Sequence, residues 1–215
     1  MLYLGEVASA ETSARVQAAV TAIEQVLNDD LVDLVPSYAS VLILYDPLRT
    51  DHLIVARRVR EVLNKLHTQP PIEGRTVVLP VYYAAEVGED LETLATSASL
   101  SVDDVINLHT GAEYRVYAIG FAPGFAFLGQ VDERIAAPRL ATPRARVPRG
   151  AVAIADRQTA VYPSESPGGW NLIGRCPVPM FDPHAQPCMP VSVGDSVRFE
   201  AISRERFLAL GGELA

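Results

Sequence analysis

Residue types able to do chemistry are concentrated in four segments beyond the middle of the chain. The first is residues 120–129, Gly-Phe-Ala-Pro-Gly-Phe-Ala-Phe-Leu-Gly, where Phe121, Phe125 and Phe127 alternate with glycines. Apolar bulk beside tight backbone turns suits a pocket wall on which glycine N–H groups can approach a ligand, and suits equally a packed turn closing a barrel. The second is residues 138–150, in which Arg139, Arg144, Arg146 and Arg149 are spaced by prolines. Prolines hold that backbone extended, so presenting the guanidinium forks to a carboxylate or phosphoryl group costs less entropy. Solvated surface arginines are the plain alternative. The third, residues 162–170, places Ser164, Glu165 and Ser166 ahead of Gly168, Gly169 and Trp170. Consecutive glycines can form a concave run of donors for an anion, with the indole as a flat wall. The spacing is neither that of a P-loop nor that of a nucleophile elbow. The fourth joins Phe181-Asp182-Pro183-His184 to the turn at Gly194-Asp195.

Histidines occur only at positions 52, 67, 109 and 184. His52 and His67 lie in or just after an amphipathic helix and are expected at the surface. His109 precedes the strand leading into the Phe-Gly segment, so it can reach the same cavity as a proton carrier near neutral pH, or simply make a structural hydrogen bond. Cys176 and Cys188 are the only cysteines and lack partners at zinc spacing, so reduced thiols and no structural metal are expected.

The elements that must position these residues divide into two textures. In the first part Ser9 can cap a helix whose apolar positions Val16, Ala19, Ile23 and Leu27 recur at helical spacing. Residues 41–45 form an apolar run that suits a buried strand, and Asp46-Pro47 breaks it. A second helix is expected over residues 51–66, with Val55, Val59, Val62, Leu63 and Leu66 inward and Arg57, Arg58, Arg60 and Lys65 in water. Residues 77–83 read as a further strand, completing a two-layer α/β unit. Residues 70–74, Pro-Pro-Ile-Glu-Gly, separate that helix from that strand. Two short helices then open the second part, one of them started by Ser101 with Asp104 three residues on. Beyond His109, short β-prone pieces at 114–119, 151–155, 159–162, 170–174 and 196–200 alternate with Pro- and Gly-rich turns, the pattern of an antiparallel barrel or sandwich. The domains are therefore placed at 1–84 and 85–215.

The chain of 215 residues is 49% hydrophobic and 20% charged, which is ordinary for a folded protein. Its net charge of -8 opposes non-specific binding to nucleic acid and anionic lipid. No apolar run reaches the length of a membrane span, and the first residues show no secretory signal, so a cytoplasmic location is expected.

The same residues carry a resemblance. His109, Tyr114-Arg115-Val116, the run 120–129, Pro143-Arg144, Val147-Pro148-Arg149-Gly150, Ile154-Ala155, Thr159, Tyr162-Pro163 and residues 166–174 occur in order. Phe181-Asp182 and residues 194–197 complete the series. Together they resemble the family of the 5-oxoprolinase B subunit, also described as allophanate hydrolase subunit 1 or carboxyltransferase subdomain C. A sporulation kinase inhibitor belongs to it as well.

The resemblance implies an α+β protein with a small ferredoxin-like N-terminal domain and a cyclophilin-like antiparallel β-barrel. It implies action with the homologous C subunit and the A subunit of 5-oxoprolinase in ATP-dependent hydrolysis of 5-oxo-L-proline to L-glutamate. Inhibition of a histidine kinase and allophanate or other amide hydrolysis are the alternatives. ATP, with magnesium as its counter-ion, would sit at a site shared with or supplied by a partner, because the chain has no recognisable ATP loop. On this reading His109 and Glu165 handle protons, and Arg144, Arg146 and Arg149 contact anions. Ser166, Gly168 and Gly169 line the site, and Phe125 and Trp170 wall it. Two departures stand out: Phe127 where the family often has a tyrosine, and Ala155-Asp156-Arg157 in place of a glycine-containing turn.

Overall fold

The computed structural model describes residues 1–66 and 74–214, with the backbone alone at Leu66; His67 and most of the Pro-Pro separator lie outside the described residues. The chain divides into two compact units, Met1–Gly74 and Arg75–Ala215.

The first unit runs β1 (Leu2–Tyr3), α1 (Ala10–Leu27), β2 (Leu31–Pro36), β3 (Ser40–Tyr45) and α2 (His52–Leu66). Ser9 caps α1 as its position suggests, its Oγ accepting from the Thr12 amide at 3.0 Å. Ala19, Ile23 and Leu27 of α1 and Val55 and Val59 of α2 form one buried cluster over Leu34 and Ile43 of the sheet. This is the two-layer packing that the helical and strand periodicities demand. Arg58, expected in water, instead donates to Asp30 at 2.7 Å. The sheet order is β1-β3-β2, antiparallel throughout. A ferredoxin-like β-α-β-β-α-β unit would add a fourth strand. The strand expected to fill that place, β4 (Thr76–Val81), belongs to the second unit. The division between the units therefore falls at Gly74 rather than near residue 84.

The second unit continues with α3 (Leu91–Ser97), α4 (Val102–Thr110), β5 (Glu113–Ile119), β6 (Ala126–Gly129), β7 (Arg144–Val147) and β8 (Ala151–Ala155). It ends with β9 (Gln158–Val161), β10 (Ser166–Gly168), β11 (Asn171–Arg175), β12 (Ser196–Ala201) and α5 (Arg204–Ala209), a helix the periodicity did not reveal. Ser101 and Asp104 form the full capping box of α4. Seven strands make one sheet in the order β11-β8-β9-β6-β5-β12-β4. The β12–β4 pair is parallel, whereas a wholly antiparallel barrel was expected; the long excursion between β4 and β12 permits it. The sheet is open along its length, and among the described residues its two edge strands meet at Tyr82 and Arg175, which exchange both backbone hydrogen bonds at 2.9 Å.

Strand β8 shows how the sequence builds this unit. All its residues are buried. Val152 and Ile154 face one core with Leu79, Tyr114, Leu128 and Phe199. Ala151, Ala153 and Ala155 face a second core with Phe125, Tyr162 and Trp170. A period of two sorts branched residues to one side and bare methyl groups to the other, which leaves room for aromatic rings. The hairpin between β8 and β9 turns at Asp156, whose φ of 52° is left-handed, a conformation an aspartate tolerates better than most residues. No helix among the described residues is long and apolar enough to cross a membrane.

Candidate functional site

The Phe-Gly, arginine and double-glycine segments meet. Strand β7, from the arginine segment, pairs antiparallel with β10, from the double-glycine segment, with Gly168 opposite Arg144. The Leu140 amide donates to the Gly169 carbonyl at 2.7 Å. Against this ribbon stands an aromatic cluster. The Phe125 ring meets Tyr162 and Trp170 edge-on, with centroids 5.2 and 5.7 Å apart, and Phe127 lies 4.8 Å from Phe125. Phe121, at a positive φ of 72°, extends the cluster into solvent and is 71% exposed. Phe125 and Trp170 themselves are buried, so they support the wall rather than offer its outer surface.

The arginines have different fates. Arg144 is half-buried, and its Nη2 donates to Asp90 at 2.7 Å, its Nε to Glu89 at 3.2 Å and its Nη1 to the Trp170 carbonyl at 3.5 Å. Burial opposes its charge, but the hydrogen bond and charge of Asp90, with Glu89, outweigh this and raise its pKa. Asp90 also accepts from the Leu172 amide at 2.7 Å. Arg144 is thus the core of a clamp joining β7 to β11, not a free anion ligand. Arg146 and Glu165 face one another across the ribbon at 3.2 Å, with side chains 81% and 57% exposed. Arg139 places its guanidinium carbon 5.8 Å from the centroid of the Trp170 indole, a cation–π contact that sequence reasoning did not anticipate. Arg149 is exposed and lines a separate cleft with Arg175 and Phe207.

His109 sits in the first core, with no exposed surface. Its Nδ1 shares a hydrogen bond with the Tyr83 hydroxyl at 2.7 Å, and its Nε2 with Thr159 Oγ1 at 2.9 Å. Its ring stacks on Phe199 at 4.5 Å. Burial holds its pKa at about 3, so it is neutral through the physiological range and serves as a structural pillar. The expectation that it carries protons for a ligand does not match this enclosure. Its sequence position, at the end of α4 and before a strand, gave no sign of the depth.

Gly168 has a steric reason to be glycine: an added methyl would lie 2.3 Å from the Tyr162 hydroxyl oxygen. Gly168→Ala is expected to lower the unfolding free energy by roughly 1–3 kcal/mol, the usual cost of overpacking. Denaturant titration would check this, and an unchanged midpoint would mean that the ring has room to move.

An arginine-edged aromatic wall on a two-core α+β scaffold is what the structure defines. Comparison with known proteins then places the chain. The model of the carboxyltransferase domain, subdomain C and D, matches residues 1–191. A curated relative, the 5-oxoprolinase B subunit of Bacillus subtilis (strain 168), is 39% identical over 97% of this chain and 91% of its own. The crystal structure of TTHA0988 superposes with a TM-score of 0.83 at 40% identity, covering 94% of this chain but only 39% of that one. That of the conserved uncharacterized protein PH0987 from Pyrococcus horikoshii is 42% identical over 96% of this chain and 94% of its own, with a TM-score of 0.60. The chain belongs to the family of the 5-oxoprolinase B subunit and allophanate hydrolase subunit 1.

Proposed function

We propose that this chain is the B subunit of an ATP-dependent 5-oxoprolinase, working with a homologous C subunit and an A subunit in the cytoplasm to open 5-oxo-L-proline to L-glutamate. The observation that carries this reading is the near full-length likeness to a 5-oxoprolinase B subunit. On the same reading the first unit is a ferredoxin-like domain that lacks its fourth strand, and the seven-stranded sheet is a cyclophilin-like barrel joined at one pair.

The lactam is a resonance-stabilised amide, so its opening by water calls for prior activation, and phosphorylation of the amide oxygen would supply it. The activated species must be kept from bulk solvent until attack. The chain's contribution is assigned to the substrate side. Arg139 and Arg146 stand at the rim of the aromatic wall and suit the substrate carboxylate, while Phe121 and Phe127 exclude water from the ring. Glu165, paired with Arg146, can accept a proton once a carboxylate draws that guanidinium away. No group of three or more His, Cys, Asp and Glu side chains among the described residues is placed to bind a metal ion, and holding the nucleotide with its magnesium counter-ion is assigned to a site shared with or supplied by a partner.

The test is reconstitution with the neighbouring subunits and measurement of glutamate released from 5-oxoproline with and without ATP. ATP-dependent release that requires this chain supports the proposal; none from the assembled complex rejects it. Within that assay Arg146→Ala is expected to raise KM by about tenfold, the loss of one charge-assisted contact.

A further inference from the structure

The second arginine cleft contains a buried guanidinium, that of Arg175. Arg175 ends β11 at the closing pair of the sheet, and only 5% of its surface is exposed. Its Nη1 donates to the main-chain carbonyl of Glu213, its Nε is buried with no hydrogen-bond partner, and no carboxylate among the described residues lies within ion-pair distance of it. Burial pushes its pKa down, with Glu213 and Glu89 offsetting part of the effect from further away. An unpaired buried charge is costly to a fold and is normally matched by a partner. Arg149 lines the same cleft. Arg149 is itself exposed and makes no ion pair among the described residues.

The cleft's cover is the segment Gly211–Glu213, which follows α5. Gly211 has a φ of 83°, and a methyl at Gly212 would lie 2.4 Å from the Phe207 ring, so the segment turns back and presses on that ring. Gly150, with a φ of 79°, lets the opposite wall approach within contact of the Cys176 carbonyl. The space left is about 20 Å³. That admits one water-sized atom, such as a single oxygen of an oxyanion, and no more.

We infer that Arg149 and Arg175 form an oxyanion site for a carboxylate or phosphate group, gated by the Gly211–Glu213 strap. The Glu213 carbonyl is the acceptor that holds Arg175 while the strap is down. Binding a whole anion lifts the strap and exchanges that carbonyl for two charged oxygens. Because the site lies apart from the Trp170 wall, it stands whether or not 5-oxoproline is the substrate.

The test is a titration of the full chain with sodium phosphate, sodium acetate and sodium chloride at matched ionic strength. The amides of Gly211 and Gly212 and the Arg175 Nε–H are followed by NMR. Saturable shifts at these groups with phosphate or acetate, absent with chloride, are expected, and the anion that saturates names the source of the oxyanion. Arg149→Gln, at an exposed position and so compatible with folding, is expected to weaken that binding by roughly tenfold or more. If neither oxyanion shifts these groups, if chloride shifts them equally, or if Arg149→Gln binds as the wild type does, the site does not exist.

Discussion

Asp90→Ala is expected to lower the unfolding free energy by about 3 kcal/mol, the cost of stripping one partner from a mostly buried ion pair. The aspartate ties three things at once. It accepts from Arg144 Nη2 and from the Leu172 amide, each at 2.7 Å, and its own amide donates to the Leu172 carbonyl at 2.9 Å. Removing the carboxylate strips the half-buried Arg144 guanidinium of its shortest hydrogen bond, leaving it Glu89 and the Trp170 carbonyl, and takes the side-chain acceptor from the Leu172 amide. Arg144 keeps some contact with water, which is why the figure sits at the lower end for such pairs. Glu89, the other partner, is 67% exposed, so Glu89→Ala should change stability by less than about 1 kcal/mol. Urea unfolding of the two variants decides the matter. If Asp90→Ala lies as close to wild type as Glu89→Ala does, the clamp contributes nothing.

The second large effect is on acid stability. His109 titrates near 3 in the folded chain and near 6.5 when unfolded. Its folded pKa is depressed, so its neutral form favours the fold fully above pH 6.5, and this contribution is lost as pH falls towards 3. Between those values the unfolded chain binds the extra proton, and stability should decline by about 1.4 kcal/mol per pH unit from this group. The range from pH 6.5 to 5 is the informative one, because carboxylates titrate mostly below it. Unfolding free energies measured at half-unit steps there should show the slope. In parallel, the ring carbon shifts of His109 should stay those of a neutral imidazole down to about pH 4.5. A ring that protonates near pH 6 would show that it reaches water, and would reopen its candidacy as a proton carrier.

What was legible in the sequence was local. Ser9 and Ser101 cap the helices their spacing announces, because a cap is settled within four residues. The arginine and double-glycine segments are brought together by the pairing of β7 with β10, across the β8–β9 hairpin that lies between them in the chain. Partnerships that depend on distant positions were not legible. Arg144 reads as a free anion ligand until Asp90 is brought to it from the turn before α3. β4 reads as the last strand of the first unit until β12 arrives beside it in parallel. His109 reads as reachable until Phe199, Tyr83 and Thr159 enclose it from three separate elements. A single sequence states residue types, and the depth of each comes from the rest of the chain.

The alanine side of β8 constrains how this chain can drift. Ala151, Ala153 and Ala155, with Ala160 of β9, share a closed core with Phe125 and Trp170. Volume there is a fixed total: a branched residue gained on the strands has to be matched by a ring trimmed in the loops. Substitution on the two sides should therefore be correlated among relatives, strand growing as loop shrinks, and a set of sequences in which the two vary independently would contradict it.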